Sequence, residues 1–343
     1  MATIASGSGA EQKSTKPTRW DKIRESLKVF ANSRVALVGA FLVGFWIVVA
    51  LFADDCIVSP GCWLSFTALD GEIPVEEYSA FRVSIAETFA PAVEAYEPTP
   101  WLARYSPFEQ FRGENLQGPS AEHWLGTDRN GRDLWARLAH GSRTILTLAP
   151  FSILIALLVG GLLGVVSGYY GGITDEIIMR ILDMIMAFPQ ILLYLVIIAS
   201  FGPSKLNIVL AITLAGAPGI ARLVRGMTLD IKTRDYVAAA QTRGESPLYI
   251  MFVEILPNAR GPILIDATLR IGYAVFSIGT LGFLGLGLPP PSPDWGSMVA
   301  SGKNFIQAGH IWDALWSSLA IATLVVGLNL LADGINEETQ RYR

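Results

Sequence analysis

The side chains from which proteins most often build metal and redox centres are scarce in this chain. There are three histidines, His123, His140 and His310, and two cysteines, Cys56 and Cys62. The histidines do not have the spacing of a metal-ligand motif, so we predict neither a metal site nor a catalytic centre. The two cysteines lie close together, and an oxidising compartment would permit a disulfide between them. Two buried free thiols are the alternative.

The segment nearest to a phosphate-binding loop is GSMVASGKN, residues Gly296–Asn304. It has one residue too many between its glycines, and Asn304 stands where a serine or threonine would bind magnesium. The topology argued below also places it outside the cell, where ATP is not available. We therefore expect this chain to bind no nucleotide and no other cofactor.

The remaining candidates for chemistry are charges within apolar segments. Asp266 and Arg270 have i, i+4 spacing, which predicts an ion pair. Glu176, Arg180 and Asp183 also have helical spacing, which favours structural ion pairs, with a proton relay through Asp183 as the alternative. No array of charges resembles that of a proton pump or a voltage sensor.

The elements that must position these residues are membrane helices. Of the 343 residues, 51% are hydrophobic and only 16% are charged, whereas a soluble protein carries about 25% charged residues. Several runs reach the ~20 apolar residues that cross a bilayer. We predict an all-α integral membrane protein with six transmembrane helices, at about 35–52, 144–168, 177–201, 206–224, 262–288 and 314–335.

Basic residues set the orientation of these spans. Seven precede the first span and six lie around the connection between the fourth and fifth spans, whereas the connections between the third and fourth spans and between the fifth and sixth spans carry one each. The positive-inside rule therefore places the N- and C-termini in the cytoplasm. The predicted order is a cytoplasmic tail (1–34), the first span (35–52), a periplasmic insertion with a pre-span helix (53–143), a five-helix core (144–336) that includes a cytoplasmic loop (226–261), and a cytoplasmic tail (337–343).

Three shorter helices are predicted outside the spans. Residues Trp20–Phe30 fit an amphipathic helix on the inner membrane face or, equally, a polar linker. In the outer segment we expect a helix at about Glu76–Ala95. We also expect a turn at Thr127–Gly131 and then a helix, Asp133–Ala139, that lies against the outer membrane face.

The longest polar segment of the C-terminal half is Asp235–Asn258, which predicts two short helices around a turn. Gly244 permits a left-handed residue after the first helix. Ser246 caps the second helix, with Pro247 at its first position, and Leu256-Pro257 is expected to end it. The predicted apolar face of the second helix comprises Leu248, Met251, Phe252 and Ile255. A helical pair of this kind between two spans suggests a docking site for another protein.

Small residues are frequent in the fifth span. Ser277, Gly279, Thr280 and Gly282 either permit close helix packing, which is the favoured interpretation, or line a route wide enough for a bulky solute. The Pro293–Gly296 segment that follows is expected to begin an outer re-entry near the mouth of such a route.

Asp235–Asn258 resembles the EAA loop of bacterial ABC importer permeases, with Ala239-Ala240, Gly244 and Ile255-Leu256-Pro257 at the family's spacing. The motifs LGTDRNGRD, YYGG and LGFLGLGLPPPSPDWG are similar to those of the peptide/nickel branch, in particular the C-type subunit of dipeptide and oligopeptide permeases. The resemblance extends from about Leu125 to the C-terminus, plus the first span. Two features depart from it: Ala238 stands where relatives carry a glutamate, and the outer segment 54–120 is longer than usual.

The resemblance implies a type I ABC importer permease fold in the bacterial inner membrane. It implies a similar B-type permease as partner, two cytoplasmic ATPase subunits that hold ATP and magnesium, and a periplasmic or lipid-anchored binding protein, but no nucleic acid. ATPase coupling would fall to Ala239, Ala240, Gly244, Ser246, Leu248, Met251, Phe252, Ile255, Leu256 and Pro257, with Arg234 and Arg243 as rim charges.

The resemblance further implies import of peptides by a permease subunit that is not itself an enzyme. Nickel chelates, opines, glutathione and sugars are alternative substrates. A secondary transporter would show inverted repeats and broken helices near the midplane, and a channel would show a selectivity ring. Neither pattern is evident in the sequence.

Overall fold

The computed structural model describes residues 33–53 and 102–341. Helix is the main secondary structure of these ranges, as predicted, and residues 102–133 form turns and loop. The described residues also contain a π-helix, Ile250–Ile255, and a 3-10 helix, Lys303–Ala308. The predictions for Trp20–Phe30, for Cys56 and Cys62 and for Glu76–Ala95 lie outside the described residues. The helices are α1 Arg34–Phe52, α2 Leu134–Tyr170, α3 Gly172–Met186, α4 Gln190–Phe201, α5 Lys205–Lys232, α6 Asp235–Thr242, α7 Pro247–Tyr249, α8 Leu256–Phe283, α9 Trp295–Gly302 and α10 Trp312–Arg341.

Up to six spans are present in the described ranges, in agreement with the prediction. Five are single helices (α1, α2, α5, the helix from Pro247 to Phe283, and α10), and the sixth is the pair α3 and α4, bent by 84° at its break. The predicted kink at Pro189 is therefore a complete break. A proline disfavours helical backbone at the residue before it, and α4 starts afresh at Gln190.

Two helices begin earlier than predicted. The expected surface helix Asp133–Ala139 is instead the first turn of the long helix α2, capped by Asp133, whose Oδ1 accepts the N–H of Ala136 at 2.7 Å. The expected stop at Leu256-Pro257 is wrong as well. Pro257 stands in the first turn of α8, directly after the π-helix, and the chain continues from the π-helix into the fifth span.

The core is centred on the contact between α2 and α5. A Cβ atom at Gly160 would lie 2.4 Å from the Ala217 carbonyl oxygen, and one at Gly164 would lie 2.4 Å from that of Ala221. These two glycines therefore let the helix backbones touch, as small residues do at interfaces between membrane helices. Gly161 faces open space and does not contribute.

The outer end of the bundle is closed by the loop before α2 and by the segment that starts α9. Asp128 Oδ1 accepts the N–H groups of Asn130 and Arg132, at 2.7 and 3.0 Å, which confirms the predicted turn. Trp295 is fully buried, and its Nε1–H donates to the Leu138 carbonyl at 3.0 Å. Trp295 therefore anchors this segment inside the bundle, and its nearness to a translocation mouth stays a prediction.

Candidate functional site

We call residues 235–258 the coupling segment. Its first helix, α6, buries Val237 and Ala240 completely against the rest of the chain. Ala238 and Ala239 are exposed. Of the predicted pair Ala239-Ala240, only Ala239 is available to another protein, because successive residues of a helix point about 100° apart.

The turn of the coupling segment has the predicted geometry. Gly244 has a φ of +79°, in the left-handed region, and its N–H donates to the Gln241 carbonyl at 3.0 Å. Ser246 Oγ accepts the N–H of Tyr249 at 3.3 Å, with Pro247 at the first helical position. Both ends of the turn are therefore held by local hydrogen bonds.

The second half of the coupling segment differs from the predicted apolar face. Met251 and Ile255 are 1% and 0% exposed and pack inward, whereas Leu248 and Phe252 are 64% and 44% exposed. The π-helix is the reason: its turn is wider than that of an α-helix, so a face predicted at α-helical spacing is divided between two sides. Val253, which the sequence pattern did not single out, joins the exposed side.

Leu256 and Pro257 belong to the first turn of α8, where Leu256 is half-buried and Pro257 is exposed. The two basic residues expected at the rim are occupied within the chain. Arg234 Nη2 lies 2.8 Å from Asp230 Oδ2, and Arg243 Nη2 lies 3.8 Å from Glu254 Oε1. Both arginines are exposed, so these pairs are weak.

The pathway residues predicted in the fifth span separate into two groups. A Cβ atom at Gly279 would lie 3.0 Å from Ile321, and one at Gly282 would lie 2.4 Å from Asp294. Both glycines therefore pack against neighbouring segments and do not line a route. Thr280 is half-buried, and its hydroxyl donates to the Phe276 carbonyl at 2.9 Å. Ser277 lines a cavity.

That cavity, of about 250 Å³, lies between α2, α4, α5 and α8. The predicted pair of Asp266 and Arg270 is confirmed, with Nε 2.5 Å from Oδ2, and Arg270 is part of the cavity wall. Sequence reasoning missed the other polar lining residues, because they come from segments distant in sequence. The complete lining comprises Ile153, Gln190, Tyr194, Ile212, Gly216, Arg270, Tyr273, Ala274 and Ser277.

The ion pairs of α3 run between helices rather than along one helix. Asp183 binds Arg222 of α5, with an Nη2–Oδ1 distance of 2.6 Å, and Asp175 binds Arg225 of α5. Asp183 therefore forms a structural ion pair, as predicted, but its partner is Arg222 and not a residue of its own helix. The partner is supplied by the packing of α3 on α5, which helical spacing does not predict.

Comparison with known proteins gives a consistent result. Residues 160–338 match the family described as "Binding-protein-dependent transport system inner membrane component". The dipeptide transport system permease protein DppC of Alkalihalophilus pseudofirmus is 40% identical over 238 residues, which cover 69% of this chain and 78% of the relative. The glutathione transport system permease protein GsiD of Pectobacterium atrosepticum is also 40% identical, over 69% of this chain and 79% of the relative.

A further relative is the di/tripeptide transport system permease protein DppC of Pseudomonas aeruginosa, 40% identical over 69% of this chain and 80% of the relative. Among solved structures, an inward-facing MetNI methionine ABC transporter matches with a TM-score of 0.49 and 20% identity, over 59% of this chain and 96% of that one.

Proposed function

Since the chain belongs to the family of binding-protein-dependent transport system inner membrane components, we propose that it is the permease subunit through which an ATP-driven importer carries short peptides. The protein is a multi-pass component of the bacterial inner membrane. Relatives named as dipeptide and di/tripeptide permeases support the substrate class.

The partners in this proposal follow from the division of labour within such a system. A homologous B-type permease completes the pathway, and a periplasmic or lipid-anchored protein delivers the substrate. Two cytoplasmic ATPase subunits hold ATP and magnesium, so this chain binds no cofactor and hydrolyses nothing.

The observation that carries the proposal is the continuity between the coupling segment and α8. From Pro247 the backbone runs without a break through the π-helix into the fifth span and ends at Phe283. The exposed side chains of Leu248 and Phe252 offer a contact surface at one end of this unit. A displacement of that surface by a closing ATPase is therefore delivered directly to a membrane helix.

Glutathione is the second candidate substrate, because a relative of equal identity is named as a glutathione permease. Nickel chelates, opines and sugars have no comparable support. The secondary transporter and the channel are the alternatives of another class, and they differ from the proposal in needing no ATPase.

The proposal is tested by purifying this chain from its own membranes and reconstituting the whole complex in proteoliposomes. We expect ATPase subunits and a second permease to co-purify, and labelled dipeptide to enter only with ATP and the binding protein. Uptake without ATP would contradict the proposal. Uptake of glutathione in place of dipeptides would select the second candidate.

A further inference from the structure

One side of α8 carries polar residues through the apolar part of the helix. Asp266, Arg270, Tyr273 and Ser277 follow one another at spacings of four, three and four, and therefore share a face. The side chains of Asp266 and Arg270 keep 27% and 24% of their surface exposed. A charge in contact with lipid costs several kcal/mol, roughly 2.5 or more. This face must therefore meet water or protein.

Arg270, Tyr273 and Ser277 of this face line the cavity described above, and Asp266 is linked to the cavity wall through its ion pair with Arg270. Opposite Arg270 stand Gln190 and Tyr194 of α4, the helix that begins after the break at Pro189. The guanidinium lies against Gly219 of α5, where a Cβ atom would come within 2.9 Å of Nη1. The missing side chain at Gly219 thus makes room for Arg270 at the edge of the cavity.

The ion pair leaves part of Arg270 available to a ligand. The bond to Asp266 uses Nε, and a guanidinium has four further N–H donors on its two Nη atoms. A guanidinium and a carboxylate side by side can recognise the opposite charges of a zwitterion.

We propose that Asp266 and Arg270 form a transient recognition site for short peptides with free termini. Arg270 binds the terminal carboxylate and Asp266 binds the terminal ammonium group, while Gln190, Tyr194 and Ser277 offer hydrogen bonds to the peptide between them. The inference rests on the proposed function and adds a substrate contact to it. Since the charged termini of the peptide must lose water to enter a site whose own two charges are already paired, binding stays weak enough for release.

The site is tested by photocrosslinking in the complete complex during ATP-driven turnover. Tyr273 lines the cavity and is 67% exposed, so Tyr273→p-benzoylphenylalanine places the probe beside the proposed site. We expect it to crosslink a labelled dipeptide. Adding Arg270→Gln should lower the yield at least fivefold, and Arg270→Lys should retain most of it, because the cation is kept.

Two controls accompany this experiment. A probe at Phe201, which is 74% exposed but outside the cavity, should give no crosslink. Arg222→Gln removes a different arginine–aspartate pair of the membrane helices and should leave the yield unchanged. Membrane abundance and ATPase activity of every variant show whether the complex has assembled.

The outcomes separate the two proposals. If the unmodified complex imports no dipeptide, the proposed function fails. If it imports dipeptide but the Tyr273 probe gives no crosslink, or the yield is the same with Arg270→Gln, the recognition site is refuted while the function stands. Should Arg270→Gln prevent assembly, the comparison of the Tyr273 and Phe201 probes with Arg270 intact still decides the question.

Discussion

The guanidinium of Arg225 binds the carboxylate of Asp175 through two nitrogen atoms, with Nε–Oδ1 and Nη2–Oδ2 distances of 2.5 Å each. Only 32% of the Arg225 side chain and 18% of the Asp175 side chain are exposed. The pair joins α3 to α5 at the inner side of the bundle. A bidentate pair of this kind is the strongest class of charge-assisted hydrogen bond.

We therefore expect Arg225→Ala to lower the free energy of unfolding by about 1.5–3 kcal/mol. Arg225→Lys should recover only part of the lost stability, because an ammonium keeps the positive charge but lacks the planar fork of a guanidinium. Thermal unfolding of the purified protein measures the effect. The matched control is Arg222→Ala, which breaks the exposed pair with Asp183 and should cost less than about 1 kcal/mol. Equal losses at both positions would refute the distinction.

Gly244 is the only glycine of the coupling segment, and ATP-driven uptake should be sensitive to its substitution. Its φ of +79° disfavours a side chain, so Gly244→Val should reduce ATP-driven uptake at least tenfold while membrane insertion is unchanged. Gly244→Asn should retain more activity, since asparagine tolerates left-handed backbone. Uptake in proteoliposomes is the measurement.

Gly261 provides the control for Gly244, because it lies in α8, lacks a positive φ and faces open space. Gly261→Ala should leave uptake unchanged. If Gly244→Val transports as well as the unmodified protein, the turn plays no part in coupling.

The exposed and buried sides of the π-helix should respond to mutation in different ways. Phe252→Ala removes an exposed contact and should weaken co-purification of the ATPase subunits without altering the unfolding temperature. Met251→Ala empties a buried position and should destabilise the protein by about 2–5 kcal/mol. The two measurements are ATPase recovery and thermal unfolding. A reversed pattern would show that Met251 faces the partner.

His123 should give the outer loop a pH-dependent stability. It is fully buried, with Nδ1 2.8 Å from Asp133 Oδ2 and Nε2 2.8 Å from Glu114 Oε2. Burial lowers the pKa of His123, but the hydrogen bonds and charges of Asp133 and Glu114 outweigh burial and raise the pKa above its usual value. Its other neighbours, the rings of Tyr105 and Phe111, carry no charge at neutral pH.

Because the folded-state pKa of His123 is raised, its contribution to stability is complete below the unfolded-state pKa of about 6.5. The contribution is lost as the pH rises through the folded-state pKa. We expect the unfolding temperature to fall as the pH rises from about 6.5 through the folded-state pKa of His123. The substitution His123→Gln should make the unfolding temperature less dependent on pH over this interval. His310→Gln should leave it unchanged. A profile that is the same with and without His123 would contradict this assignment.

Features that depend on neighbouring residues were predictable from the sequence. The left-handed turn at Gly244 and the cap at Ser246 follow from residue types within one or two helical turns. The pair of Asp266 and Arg270 is of the same kind, since a helix places i and i+4 side by side. Predictions of helix ends failed where a helix could continue or stop at similar free energy. Examples are the expected helix end at Leu256-Pro257 and the separate surface helix expected at Asp133–Ala139.

The sequence by itself determined that this is a helical membrane protein with up to six spans, because a segment in a bilayer must satisfy its own backbone hydrogen bonds and run length suffices to identify it. It also identified the coupling segment as two short helices around a turn at Gly244. Only the tertiary structure decided which sides of that segment face outward, because the π-helix shifts Met251 and Ile255 toward the core. Packing likewise paired Asp183 with Arg222 and placed Arg270 at a cavity, since such contacts depend on how helices distant in sequence cross.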